Sequence, residues 1–101
     1  MTKTAEALTA KARAARMEIT KGVRPLISET FRVLNNHGVV AIDFDGFAAK
    51  FLEQNPGVDT QTVVGKGILM MGLDVLHEQG TIVISTTKTG VTLYQVVEKT
   101  F

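Results

Sequence analysis

The chain has 101 residues, 45% of them hydrophobic and 21% charged, and no cysteine. That bounds it to one domain with a modest core and removes disulfides and thiolate metal ligands. No apolar run approaches the roughly 18 residues of a membrane span, and no apolar stretch near the start marks a signal peptide, so a soluble, cytoplasmic protein is expected.

The net charge of +1 is unevenly spread. Residues 1–25 carry Lys3, Lys11, Arg13, Arg16, Lys21 and Arg24 against Glu6 and Glu18, a net +4, and the remainder is net −3. A basic leader on a slightly acidic body points to a polyanion or an acidic partner. A solvated basic helix has the same composition, and an Arg/Ala-rich start is also that of an organelle import sequence.

Residues 4–21 are rich in Ala, Leu, Glu, Lys and Arg, which predicts a first helix. Leu8, Ala12, Ala15 and Ile19 form a narrow apolar stripe. Much of it is Ala, so the helix needs a partner, from its own domain or from a second subunit in a homodimer. Gly22 interrupts the pattern. Pro25 fits the first turn of a second helix. Its apolar face runs through Ile27, Phe31 and Leu34, with Leu26 and Val33 nearby. Asn36-His37-Gly38 ends it, with Gly38 as the C-terminal cap. His37 reads as a helix-end residue that complements the dipole, not as a ligand or base.

Val39–Ile42 is a short β-prone run. Asp45 is the expected cap of a helix over Asp45–Gln54, with Phe47, Ala48, Phe51 and Leu52 buried. Asn55-Pro56-Gly57 is a stop and turn. Asp59 is the expected cap of the next helix, over Thr60–Gln79, with Thr60 and Thr62 in its first turn. Its predicted buried face is Val64, Ile68, Met71 and Val75, with Leu69 and Leu76 beside it. The Met70-Met71 pair reads as core filler. Gly65, Gly67 and Gly72 each weaken this helix by roughly 1 kcal/mol relative to Ala. Close approach of another helix or of a ligand backbone would account for that cost, and so would simple drift. After Gly80, Thr81–Thr86 and Val91–Val97 alternate as two strands joined by Thr87-Lys88-Thr89-Gly90, a hairpin. In the second strand Val91, Leu93 and Val97 alternate with Thr92, Tyr94 and Val96.

The run Val39 to Gly46, an apolar strand followed by Asp43-Phe44-Asp45-Gly46, resembles the opening motif of haloacid dehalogenase-like phosphotransferases. That resemblance implies Asp43 as nucleophile and Asp45 as acid/base beside magnesium. Only 55 residues follow Gly46, too few for a doubly wound sheet. Phe47 stands where that family has Thr or Val, and no later acidic pair completes a metal site. A strand end at Asp43 and a helix cap at Asp45 explain the same residues. The glycines around Lys66 match neither the dinucleotide nor the P-loop spacing. His37 and His77 are the only histidines. No enzyme, cofactor or metal is therefore expected.

From Pro25 to Val97 the order helix, short strand, helix, turn, helix, strand, strand resembles the winged helix-turn-helix superfamily. The run Val75–Ile84, VLHEQGTIVI, is similar to the way such domains leave the recognition helix for the wing. The resemblance implies an α+β domain over 25–101, with three core helices and a C-terminal β-hairpin wing, preceded by the helical leader 1–24. It also implies that the third core helix enters the major groove of duplex DNA while the wing touches the backbone. Gln61 would then read a base edge, and Thr60, Thr62 and Lys66 would contact phosphates. Lys88 at the wing tip, Lys50, and Arg13 and Arg16 of the leader would add further phosphate contacts.

The implied role is a small, nucleoid-associated transcriptional regulator. Against it, the third helix carries one Lys, no Arg, and Asp59, Asp74 and Glu78, whereas DNA affinity rests on neutralising phosphates. The same scaffold is widely used to bind proteins. An adaptor or inhibitor that binds a protein partner is the second expectation.

Overall fold

Four helices and a small antiparallel sheet make up residues 3–96, the part of the chain that the computed structural model describes. The first helix, α1, is Lys3–Ile19. Thr20, buried in the turn that follows, donates its hydroxyl to the Arg16 carbonyl (2.7 Å) and accepts from Arg24 Nε (3.1 Å). Arg24 Nη2 donates to the Met17 carbonyl (3.1 Å). These bonds fix the corner between α1 and α2 (Val23–Asn36) and use the Arg24 guanidinium there. Gly38, with φ +81°, follows α2 in the left-handed conformation a helix C-terminus favours, as its position predicts.

The strand expected at Val39–Ile42 is shorter and later. β1 is Ile42–Asp43, because only these two residues meet a partner strand. Helix α3 (Phe44–Gln54) starts at once, and its cap is Asp43 rather than Asp45: Asp43 Oδ1 accepts from the Gly46 N–H at 2.8 Å. Asp45 sits in the first turn, where a carboxylate suits the helix dipole. The last helix, α4 (Val63–Glu78), is likewise capped later than expected. Thr62 Oγ1 accepts from the Gly65 N–H at 3.1 Å. Asp59 orders the approach instead, accepting from the backbone N–H groups of Gln61 (3.0 Å) and Thr62 (3.1 Å) and from the Thr62 hydroxyl.

β2 (Ile82–Thr86) and β3 (Thr92–Val96) form the predicted hairpin, with Ile82 opposite Val96 and Thr86 opposite Thr92. β1 adds on the other side of β3, with Ile42 opposite Tyr94, so the sheet order is β1-β3-β2. Val97 of the predicted second strand lies outside the described residues.

Ile27, Phe31 and Leu34 of α2 meet Phe47 and Phe51 of α3 and one face of α4, and Ile82, Tyr94 and Val96 close the layer from the sheet. The face that α4 presents is a correction. Leu69, Gly72, Leu73 and Leu76 point into the core, whereas Val64 is exposed and Ile68 and Met71 are only half-buried. Val75 is buried, but it lies against α1, beside Met17 and Arg13. Gly72 explains the phase. A methyl group there would lie 2.6 Å from Ile27 Cδ1 and 3.3 Å from Val23 Cγ1, so α2 crosses α4 at the glycine. Among the described residues, no helix is long and apolar enough to cross a membrane.

Candidate functional site

The residues expected to contact DNA do not converge. Thr60 is 1% exposed and precedes α4, so it is packed inside and reaches no phosphate, contrary to its placement in an exposed first turn. Gln61 is exposed, and its side-chain amide donates to Thr60 Oγ1 at 3.2 Å. Thr62 is exposed, but its hydroxyl is engaged by Asp59 and the Gly65 N–H. Lys66 and Lys88 are exposed, and neither has an ion pair among the described residues. Lys50 is on α3, with its ammonium 3.1 Å from Glu53. Arg13 and Arg16 sit at the far end of the molecule from Lys66. Arg16 pairs with Glu78 at 3.1 Å, in the last turn of α4. At 1.5 Å per residue, Glu78 lies about 18 Å along the helix from Lys66.

The hairpin turn falls on the Lys66 side. Met70, one turn after Lys66, lines a cleft with Val91 and Thr92, the residues that follow the turn. Thr87 holds that turn closed by accepting from the Val91 N–H at 3.1 Å and bonding the Thr89 hydroxyl at 3.0 Å. Lys66 and Lys88 therefore share a side of the molecule, and the basic leader does not join them.

What the structure does gather on that side is apolar and acidic. Val63 is 89% exposed and Met70 47%, whereas Val64, also exposed, borders a separate pocket with Val23, Phe51 and Ile68. Val63, Gly67 and Met70 follow one another at helical spacing down the outward side of α4. Beside Met70 is an open cleft of about 300 Å³, bounded by Asp43, Phe44 and Asp45 at the start of α3 and by Val91, Thr92 and Tyr94. Asp74 follows Met70 by one turn of α4. Burial, and then the nearby Asp74 carboxylate, push the Tyr94 phenol above its usual range. The cleft thus combines the apolar side chains of Phe44, Met70 and Val91 with the carboxylates of Asp43 and Asp45, and the same side carries Asp74 and the ammoniums of Lys66 and Lys88. Among the described residues, no group of three or more His, Cys, Asp or Glu side chains is placed to hold a metal ion.

Sequence reasoning missed this surface because Met70 read as core filler. A signal was present in α4 itself. Its apolar residues cover more of the helix circumference than one packed face can bury, so some had to be left outside.

The approach to α4 carries its own pH dependence. The Thr62 hydroxyl, then the backbone N–H groups of Thr62 and Gln61, hold the Asp59 carboxyl below the usual carboxylate range. A carboxyl whose folded value is depressed stabilises the fold above its unfolded value, about 3.9, and loses that contribution as pH falls through the folded value. Asp59→Asn keeps one oxygen for the backbone donors but removes the charge. The melting temperature difference between wild type and Asp59→Asn is expected to be constant near neutrality and to shrink below about pH 4. Thermal unfolding across acid pH checks this, and a difference that does not change with pH would refute it.

Comparison with protein families, with curated proteins and with solved structures found no match.

Proposed function

We propose that the chain is a protein-interaction module on a winged-helix scaffold, and that its binding surface is the outward side of α4 with the neighbouring cleft. The scaffold reading is supported by the element order from α2 to β3, by the sheet order β1-β3-β2, and by the hairpin that follows α4 directly. In that scaffold α4 is the third core helix and β2–β3 the wing.

One observation carries the functional reading. The surface that would face DNA is apolar and acidic. Val63 and Met70 are exposed on the outward side of α4, and the three carboxylates of Asp43, Asp45 and Asp74 exceed the two ammoniums of Lys66 and Lys88 on that side. Exposed apolar side chains rimmed by polar ones mark a protein-binding surface, whereas duplex DNA demands a positive field. The chemistry selects a partner segment with apolar side chains for the cleft and Lys or Arg for its rim.

A DNA-reading role retains one point in its favour: Gln61, Lys66 and Lys88 are exposed on the same side. One pair of titrations decides between the two. Isotope-labelled protein receives a helical peptide with Leu on one face and Lys on the other, and separately a mixed-sequence duplex, both at low salt. The interaction reading expects amide shifts confined to Val63–Met70, Asp43–Asp45 and Val91–Tyr94 with the peptide. It expects none with micromolar duplex. Shifts at Gln61, Lys66 and Lys88 with duplex alone would overturn it in favour of DNA.

A further inference from the structure

Strand β3 is the middle of the sheet, and β1, two residues long, runs straight into α3. The long edge of the sheet is therefore β2. The hairpin turn fixes which of its groups point outward. The Thr87 N–H donates to the Val91 carbonyl at 2.9 Å, and bonded pairs alternate along an antiparallel ladder. Ser85 with Leu93 and Val83 with Gln95 are then the bonded pairs, whereas Ile82, Ile84 and Thr86 turn their N–H and C=O groups away from β3. The Ile82 carbonyl is covered, because His77 Nδ1 of α4 donates to it at 3.2 Å. Among the described residues, no group bonds the outward N–H and C=O of Ile84 or Thr86. Natural edge strands are blunted by Lys, Pro or a bulge. Thr81 to Thr87 carries no charge and no Pro, and its pairing with β3 is unbroken from Ile82 to Thr86.

We propose that β2 is a docking edge for β2 of a second copy of the chain, the two strands running antiparallel about a two-fold axis at Ser85. Self-complementarity selects a second copy. Ile84 and Thr86, the residues with free edges, are two apart, and an axis at Ser85 places each opposite its counterpart in the other copy. Every outward N–H of these residues then meets an outward carbonyl. An axis at Ile84 would instead place Thr86 opposite Ile82, whose carbonyl His77 already holds. Charge agrees with geometry. The two Lys88 side chains lie at opposite ends of the paired strands. Near the Thr81 end, Glu78 is paired with Arg16 and Glu29 with Arg32 inside the chain, so no unpaired like charges face one another. The contact is isologous and closes as a dimer. It is independent of the α4 cleft, which Asp43 and Tyr94 bound on the β1 side of β3 and which stays open in both copies.

The chain has no cysteine, so a single one reports the register. Ser85→Cys places two thiols on an unbonded antiparallel pair with Cα atoms about 4.5 Å apart, within the range a disulfide spans. Oxidised glutathione at micromolar protein is expected to cross-link it almost completely. Val83→Cys, on the same face, falls opposite Thr87 of the partner. Its two thiols would be roughly 14 Å apart along the strands and are expected not to cross-link. Thr86→Pro removes an outward N–H and no bond to β3. It is expected to keep the fold by circular dichroism and to weaken the dimer by about tenfold or more in sedimentation equilibrium.

A monomer at every concentration would overturn the proposal. Equal cross-linking of the two cysteine variants would do the same, as would a dimer that Thr86→Pro leaves unchanged. If Thr86→Pro does not fold, the two cysteine variants decide alone. Peptide-induced shifts at Val63–Met70 are read separately, and they test the interaction reading whether or not β2 pairs.

Discussion

Phe47→Ala is expected to destabilise the protein by about 3–5 kcal/mol, a large share of the roughly 5–15 kcal/mol typical of a domain. Phe47 is fully buried, stacked on Phe31 of α2 with ring centroids 4.6 Å apart, and 6.1 Å from Phe51. Truncation removes the transfer energy of the ring, leaves a cavity among α2, α3 and the sheet, and forfeits the aromatic contacts. The position matters beyond its area. Helix α3 has 11 residues and buries only Phe47 and Phe51 completely. A helix that short does not persist in water unless packing holds it. Urea unfolding is expected to show a lower midpoint with an unchanged slope if the fold survives. Phe47→Leu keeps most of the volume and is expected to lose well under half as much. A small effect of Phe47→Ala would mean that α3 is held by something other than its two rings. The variant also links fold to site. Asp43 and Asp45 bound the cleft only because α3 starts where it does, so loosening α3 is expected to weaken peptide binding before the protein unfolds globally.

The outline of the molecule was legible because its strongest signals are local. Ile27, Phe31 and Leu34 repeat at helical spacing, Asn55-Pro56-Gly57 interrupts any helix, and the alternation after Gly80 has a turn at its centre. Each has one reading, and each matches an observed element. Two carboxylates two residues apart, at Asp43 and Asp45, allowed two caps. The choice depends on which carboxylate stands three residues before a free N–H, and here that is Asp43 before Gly46. The same ambiguity separated Asp59 from Thr62. β1 was overextended because a β-prone run becomes a strand only where another strand pairs with it, and β3 offers only Leu93 and Tyr94.

The site was harder to read than the fold. Helix α4 is apolar around much of its circumference, so its period permits two faces, and hydropathy favoured Val64, Ile68 and Met71. The core selected the other face because it contains Gly65 and Gly72, where neighbours pass closest. A glycine scores as neutral in an apolar pattern even when it marks the most tightly packed point of a helix. The exposed surface at Val63 and Met70 follows from that choice and could not be located before it. The direction of α1, which separates the leader's charges from Lys66, depends on the Thr20–Arg24 corner, a tertiary feature with no repeat to announce it.

Replacing each glycine of α4 by Ala is expected to give three different results, although the gain in helix propensity is similar at each, about 1 kcal/mol. At Gly65 the added Cβ would lie 2.4 Å from the Asp59 carbonyl oxygen and 2.8 Å from its carbonyl carbon. Backbone has no rotamer to change, so the ordered approach to α4 must move. Gly65→Ala is expected to be the most harmful of the three, with a net loss of about 2 kcal/mol or more. At Gly72 the clash is with the tip of Ile27, a flexible side chain but a fully buried one. Relief there requires repacking of α2, and the net loss is expected to be about 1–2 kcal/mol after the propensity gain. At Gly67 nothing lies within 4 Å, so Ala is expected to stabilise the fold by roughly 0.5–1 kcal/mol. Denaturant unfolding of the three variants measures the series, and a common sign for all three would refute the packing account. Gly67→Ala also separates the fold from the surface. If a partner segment rests on α4 at Gly67, the same methyl that raises the unfolding midpoint must hold that segment off. The variant is then a more stable protein that binds the helical peptide more weakly, a combination that neither general destabilisation nor a bare solvent-facing helix would produce.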